Sequence, residues 1–245
     1  DVRAAAFLLA SAAILSNILA FLRDRLLASH FGAAVELDMY YAAFRIPDLV
    51  YTVSLFFAAS TFIIPLFLER LTESEERARE FINTVLAAFL ISMVFLVAIT
   101  YVALPFLAPL YVPGFDTESQ HTVTRMARIL LISPFFLGLS GFFSSILQSF
   151  RQFFVYAASL VFYNVGIIIG IIVFVPQWGL PGLAWGVVLG SLLHMVIQAP
   201  SLVRTGFFPQ LRLQRVPDLL NIFWKSFPRT AGLMLTQVSF VAITA

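Results

Sequence analysis

Cysteine is absent from the 245 residues, which excludes a disulfide framework, a thiolate metal site and a cysteine nucleophile. Charge is scarce. Only 11% of residues are Asp, Glu, Lys or Arg, where an ordinary globular domain carries about 25%. The net charge of +2 is too small to point to nucleic acid. Histidine occurs at positions 30, 121 and 194, with no i,i+4 pair, which argues against a metal site. No Gly-rich phosphate loop, HExxH, GxSxG or Asp-rich diphosphate motif appears. Nothing therefore supports an enzyme, and no cofactor is implied.

What the chain does contain is apolar sequence, at 60% of residues. A soluble core cannot bury that much, whereas lipid accepts it on the outside of every spanning segment. Crossing a hydrocarbon core of about 30 Å takes roughly 20 residues of helix. Six runs are long enough: Ala4–Leu27, Met39–Leu68, Phe81–Leu107, Val123–Phe150, Phe154–Pro176 and Pro181–Val203. A seventh begins near Pro228. The chain starts at Asp1 without a leader and stops inside an apolar run, which reads as a piece of a longer protein. The expected fold is all-α, a polytopic membrane protein. Residues 1–204 form an N-terminal six-helix lobe, residues 205–227 a cytoplasmic interfacial amphipathic linker, and residues 228–245 the truncated start of helix seven.

Orientation follows from Lys and Arg in short loops. Arg3, Arg70, Arg77, Arg79, Arg151, Arg204, Arg212, Arg215, Lys225 and Arg229 fall on one side, ten of the fifteen basic residues. The opposite loops, around Ser29–Asp38, Ala108–Thr122 and Pro176–Pro181, hold none. This predicts a cytoplasmic N-terminus. The charged stretch Glu69–Glu80 reads as a solvated cytoplasmic turn. Asp218–Lys225 reads as an amphipathic helix, serving either as a linker between two halves of a transporter or as a loop dipping into the headgroups. Gly182–Gly190 (GLAWGVVLG) reads as close helix packing, and Asn164 as an interhelical hydrogen bond.

Ionisable groups inside spans cost about 2.5–3.5 kcal/mol each on insertion scales, so they face a cavity or a partner. They concentrate in the first two helices. Ser16 and Arg23, and Asn17 and Asp24, are seven apart and share one broad face. Asp38, Tyr41, Arg45, Asp48 and Thr52 form a second polar face, with a kink or an irregular start expected near Pro47. One reading has the two faces lining a wet cavity, where a guanidinium fork suits phosphate or carboxylate. The other has Arg23, Asp24, Arg45 and Asp48 paired among themselves across a helix interface.

Leu15–Ala28 (LSNILAFLRDRLLA), Phe31-Gly32-Ala33 and Leu37–Asp48 (LDMYYAAFRIPD) resemble the start of the MurJ/MviN lipid II flippase family. That family belongs to the multidrug, oligosaccharidyl-lipid and polysaccharide exporters. The resemblance continues through Pro113-Gly114-Phe115, Ile146–Phe153 (ILQSFRQF), Leu183–Pro200 and Phe227–Ala245. It implies a two-lobed bundle of fourteen helices in the bacterial inner membrane, acting as a monomeric transporter without cofactor. The implied substrate is an undecaprenyl-diphosphate-linked peptidoglycan precursor, moved outward by alternating access. Arg23 and Asp24 match the family's helix-one Arg-Asp pair, Asp38 and Arg45 its helix-two acid and base, and Ser60 and Pro65 the end of helix two. The implied substrate-binding set is Arg23, Asp24, Asp38, Arg45, Ser16, Asn17 and Thr52.

Three positions depart from the pattern. Asn17 and Thr52 stand where many members carry Arg, and Phe56-Phe57-Ala58 replaces EGA. A polysaccharide-lipid flippase or multidrug exporter of the same superfamily is the nearest alternative reading. A membrane scaffold or a polyprenyl-phosphate enzyme is the alternative of another class.

Overall fold

A computed structural model describes residues 2–32, 34–58 and 60–212, and every described regular element is helical. In chain order these are α1 (Val2–Phe31), α2 (Val35–Ala58), α3 (Ser60–Glu73), α4 (Glu75–Tyr111), α5 (Thr117–Leu130) and α6 (Ile132–Ser149). They continue as α7 (Phe153–Ile169), a π turn (Gly170–Phe174), α8 (Val175–Trp178), α9 (Pro181–Val196) and α10 (Ala199–Arg204). Four continuous runs are long and apolar enough to cross a membrane: Glu75–Tyr111, Thr117–Ser149, Phe153–Trp178 and Pro181–Arg204. The two apolar runs before them are helical too, and they carry the intramembrane charges. The chain is an all-α polytopic membrane protein. The proposed helix Asp218–Lys225 and the start of helix seven lie outside the described residues.

The breaks between helices have local causes. Ser74 separates α3 from α4, and its hydroxyl accepts the amide of Arg77 at 3.2 Å. Glu75 and Glu76 follow in the first turn, where the helix dipole favours acids. The expected turn over Glu69–Glu80 is thus one capping residue between two helices, laced by Arg77–Glu73 and Arg79–Glu75 pairs. Asp116 caps α5 by accepting the Ser119 amide at 3.0 Å. Hydrogen bonds from the side chain and amide of Ser119 hold its carboxyl below the ordinary carboxylate range. Leu131 separates α5 from α6, where Pro134 has no N–H to give the carbonyl of Leu130.

Proline does not interrupt α2. The expected irregular start near Pro47 is absent, since the helix runs unbroken from Val35 through Pro47 to Ala58. Proline costs a helix one hydrogen bond, and packing against α5 and α6 can offset it. In α4, Pro105 likewise cannot donate to the carbonyl of Tyr101. Arg128 of α5 does so instead, from Nε at 3.4 Å, with its guanidinium 4.6 Å from the centre of the Tyr101 ring. A basic residue at that end of the bundle therefore has a structural reason.

α7 is the pivot of the bundle, with α9 on one side and α1 on the other. Gly166 and Gly170 oppose Gly190 and Gly186, and a Cβ on Gly186 would sit 2.7 Å from the Cα of Gly170. Only glycine permits that approach, so the GLAWGVVLG segment packs as the sequence suggests. α2 packs on α5 and α6 and barely meets α1. An aromatic core closes the end of the bundle nearest Ser74. There Phe207 lies buried with ring centres 5.3 Å from Phe67 and 5.4 Å from Phe150. Arg79 stacks 4.6 Å over Phe207, and the amide of Gln210 donates to Asn83 at 2.7 Å. The first residues after α10 are thereby fastened to α4.

Candidate functional site: a polar cavity between three helices

The polar stripe of α1 packs chiefly on α7 and touches α2 little. A cavity of about 280 Å³ nevertheless opens between the three helices, and Tyr41 and Asp48 of the α2 stripe face it together with Arg23 and Asp24. Arg23, Asp24, Tyr40, Tyr41, Asp48 and Tyr163 are among its lining residues. Arg23 is held from two sides. Its Nε and Nη2 contact one Asp24 oxygen at 2.9 and 2.8 Å, and its Nη1 donates to Asn164 Oδ1 at 3.2 Å. Asn164 in turn donates to the hydroxyl of Ser16 at 3.1 Å. The expected interhelical bond of Asn164 is therefore present, and it also orients the guanidinium. Three of the site residues drawn from the sequence, Ser16, Arg23 and Asp24, belong to this one network.

The guanidinium keeps about a quarter of its exposure, and Asp24 more than half. An adjacent-residue ion pair that open is weakly held and leaves donors free to meet a ligand oxygen. Three tyrosines around it add aromatic faces and hydroxyls, which suit a sugar or phosphate head better than a purely apolar guest.

The other four residues lie elsewhere. Arg45 is not among the residues lining the cavity, and it donates from Nη1 to the carbonyl of Tyr111 at 2.7 Å. Tyr111 is the last residue of α4, where carbonyls lack helical donors and the dipole favours a cation. The shared cavity expected for Arg23 and Arg45 is therefore not found, because the end of α4 draws Arg45 aside. Thr52 is buried, its hydroxyl turned back to the carbonyl of Asp48 at 2.9 Å. Asp38 is exposed in the first turn of α2, a favoured place for an acid, and Asn17 is exposed on α1. None of these four lines the cavity. Nor do Arg45 and Asp48 pair with each other. The described ion pairs are Arg23–Asp24, Arg77–Glu73 and Arg79–Glu75.

Tyr40 and Tyr163 are the polar lining residues that the charge pattern missed. Tyr163 immediately precedes Asn164, so a polar mid-span pair was the available signal. His194 belongs to a separate buried network. Its ring nitrogens lie 2.6 Å from the hydroxyl of Ser140 and 3.1 Å from that of Ser159, and Gln198 bonds both Ser140 and the His194 carbonyl. That network ties α6, α7 and the α9–α10 turn together.

Comparison with known proteins agrees with this architecture. Residues 27–245 match the family model for lipid II flippase MurJ. The chain is 28% identical over 242 residues to the probable lipid II flippase MurJ of Buchnera aphidicola subsp. Acyrthosiphon pisum. It is 28% identical over 244 residues to lipid II flippase MurJ of Burkholderia cenocepacia, and 31% over 250 residues to the probable lipid II flippase MurJ of Bdellovibrio bacteriovorus. These alignments cover 94%, 94% and 96% of the chain, and 46%, 47% and 46% of the respective relatives. A solved structure of lipid II flippase MurJ in an inward closed conformation superposes with a TM-score of 0.75 at 26% identity, covering 91% of this chain and 47% of that one. The chain spans about half the length of the relatives it matches. With the family model covering most of its residues, the chain belongs to the lipid II flippase MurJ family.

Proposed function

We propose that this chain forms one lobe of a transporter that moves a lipid-linked peptidoglycan precursor across the bacterial cytoplasmic membrane by alternating access. The family supports the substrate class. The observation that carries the reading is the position of Arg23, a guanidinium held by Asp24 and Asn164 at the edge of an open cavity between membrane helices. Transporters built from two lobes bind near the midplane between them. On this reading Arg23 takes the diphosphate, Asp24 and Ser16 set its orientation, and the tyrosines meet the sugar. The lipid tail stays in the bilayer, so only the polar head needs the cavity.

The excess of Arg and Lys around Glu69–Glu80 and after α10 supports a cytoplasmic side for those segments and the N-terminus. Residues 205–227 then link this lobe to a second one, which supplies the opposite wall. Asp38, Arg45, Asn17 and Thr52 act outside this cavity in the conformation described, with Arg45 serving the end of α4. The protein works as a transporter, not a catalyst. The test is complementation. Cells depleted of their own lipid II flippase should survive on the complete protein and fail on its Arg23→Ala variant at equal expression. Survival on the variant would remove Arg23 from the mechanism.

A further inference from the structure

A second, smaller cavity adjoins the first. It measures about 100 Å³ and lies between α2, the α5–α6 junction and α7. Phe44, Asp48 and Tyr163 line both cavities, and the smaller one sets Tyr51 and Ser133 in an otherwise apolar wall. Two features of its wall ask for a guest. The first is the Asp48 carboxylate itself. It lies in a membrane helix, and none of the described ion pairs reaches it. A carboxylate there is costly without a counter-charge. The second is Ser133, 4% exposed, whose hydroxyl has no hydrogen-bond partner. A buried hydroxyl left unpaired carries its own desolvation cost. Both sit on the same small cavity.

The backbone contributes as well. The continuous run Thr117–Ser149 is interrupted by one turn residue near its middle, Leu131, beside Leu130 and near Ser133, with its backbone still near-helical (φ −58°, ψ −20°). Pro134 cannot supply the helical donor that the carbonyl of Leu130 would otherwise receive. A membrane-helix carbonyl left short of its helical donor is a group of the kind that coordinates small cations in transporters. A carboxylate, hydroxyls and a carbonyl are an all-oxygen donor set, as hard cations prefer. A proton alone would neutralise Asp48 but would leave the Ser133 hydroxyl unpartnered. A divalent ion would exceed the single carboxylate charge.

We propose that Asp48 and Ser133 hold a sodium-sized monovalent cation in this cavity, one helix face away from Arg23. The site does not depend on the lipid assignment, so loss of lipid binding would leave it standing. The probe is radioactive sodium bound to the complete protein in detergent, against a choline background at constant ionic strength. Wild type should bind one more sodium ion per molecule than Asp48→Asn, and Ser133→Ala should bind with roughly tenfold weaker affinity. Equal sodium binding by wild type and by monodisperse Asp48→Asn would overturn the site. Should Asp48→Asn fail to fold, Ser133→Ala decides alone: weaker sodium affinity supports the site, and unchanged affinity overturns it. If acid stabilises wild type but not Asp48→Asn while sodium binding is equal, the carboxylate takes a proton and the metal assignment is wrong.

Discussion

The two sides of α7 are built for opposite purposes. Toward α9 it presents Gly166 and Gly170, and the two backbones approach so closely that no side chain fits between them. Toward α1 it presents Asn164, beside a cavity and an arginine. Around these glycines the first side is close-packed, local in sequence and tolerant of no added atom. The second is polar, drawn from residues about 140 positions apart, and open. One helix thus joins a rigid half, α7 with α9, to a half that can admit a ligand. Membrane packing without a hydrophobic driving force depends on close contact, so the tight side has to be made of small residues.

The largest effect should come from filling the tight side. Gly186→Val would put a branched side chain against the backbone of Gly170 and should cost more than about 3 kcal/mol, at the upper end for overpacking. Loss of folded protein in size-exclusion chromatography would show it, and near-normal yield would mean that the two helices have room to separate. Next comes the polar side. Asn164→Leu removes the acceptor of Arg23 and the donor to Ser16, and should lower stability by about 1–3 kcal/mol while also weakening lipid binding. A thermal melt paired with a binding titration checks both, and lost stability with intact binding would confine Asn164 to packing.

Arg45 sharpens the comparison from outside. Arg45→Ala strips the end of α4 of its cation and should cost about 1–2 kcal/mol in melting experiments, with little change in lipid affinity. Lys at this position keeps the charge at the helix end and should recover much of the loss. An Arg45→Ala protein that melts normally but no longer binds lipid would return Arg45 to the substrate site. The smallest effect is expected at the α6–α7 turn. Arg151 there has φ 59°, a left-handed conformation that glycine adopts without strain. Arg151→Gly should raise stability by about 1 kcal/mol, and a lower melting temperature would show that the arginine makes a contact worth more than its strain.

The sequence was informative where one physical rule acts alone. Run lengths gave the helices, and the small residues of GLAWGVVLG gave the contact with α7, because close approach admits little else. The pairing of Ser16 with Arg23 on one face of α1 was legible from a spacing of seven. The partner of that face was not. Nothing in the helical period of α1 says whether it lies on α2 or α7, and the structure puts it on α7. Arg23 and Arg45 look alike as intramembrane arginines. What separates them is the free carbonyl of Tyr111, brought to Arg45 by an element 66 residues away. Pro47 gave no irregular start for a related reason. Its local cost is real, but α2 is packed well enough to stay helical through it. Asp48 stood in the polar stripe of α2, and only the placement of Ser133 on the far side of a cavity gives it a neighbour to act with.

The central claim is that Arg23, and not Arg45, meets the diphosphate of the lipid substrate. Its most direct test is equilibrium binding of an undecaprenyl-diphosphate-linked precursor to the complete protein, in wild type, Arg23→Ala, Arg23→Lys and Arg45→Ala. Removing a charge-assisted contact worth about 1.5–3 kcal/mol should weaken binding by roughly tenfold to a hundredfold in Arg23→Ala. Arg23→Lys should stay well below wild type, because lysine keeps the charge and loses the fork. Arg45→Ala should bind within about threefold of wild type, being an indirect change. Wild-type affinity in a folded Arg23→Ala protein, or a loss seen only in Arg45→Ala, would contradict the account.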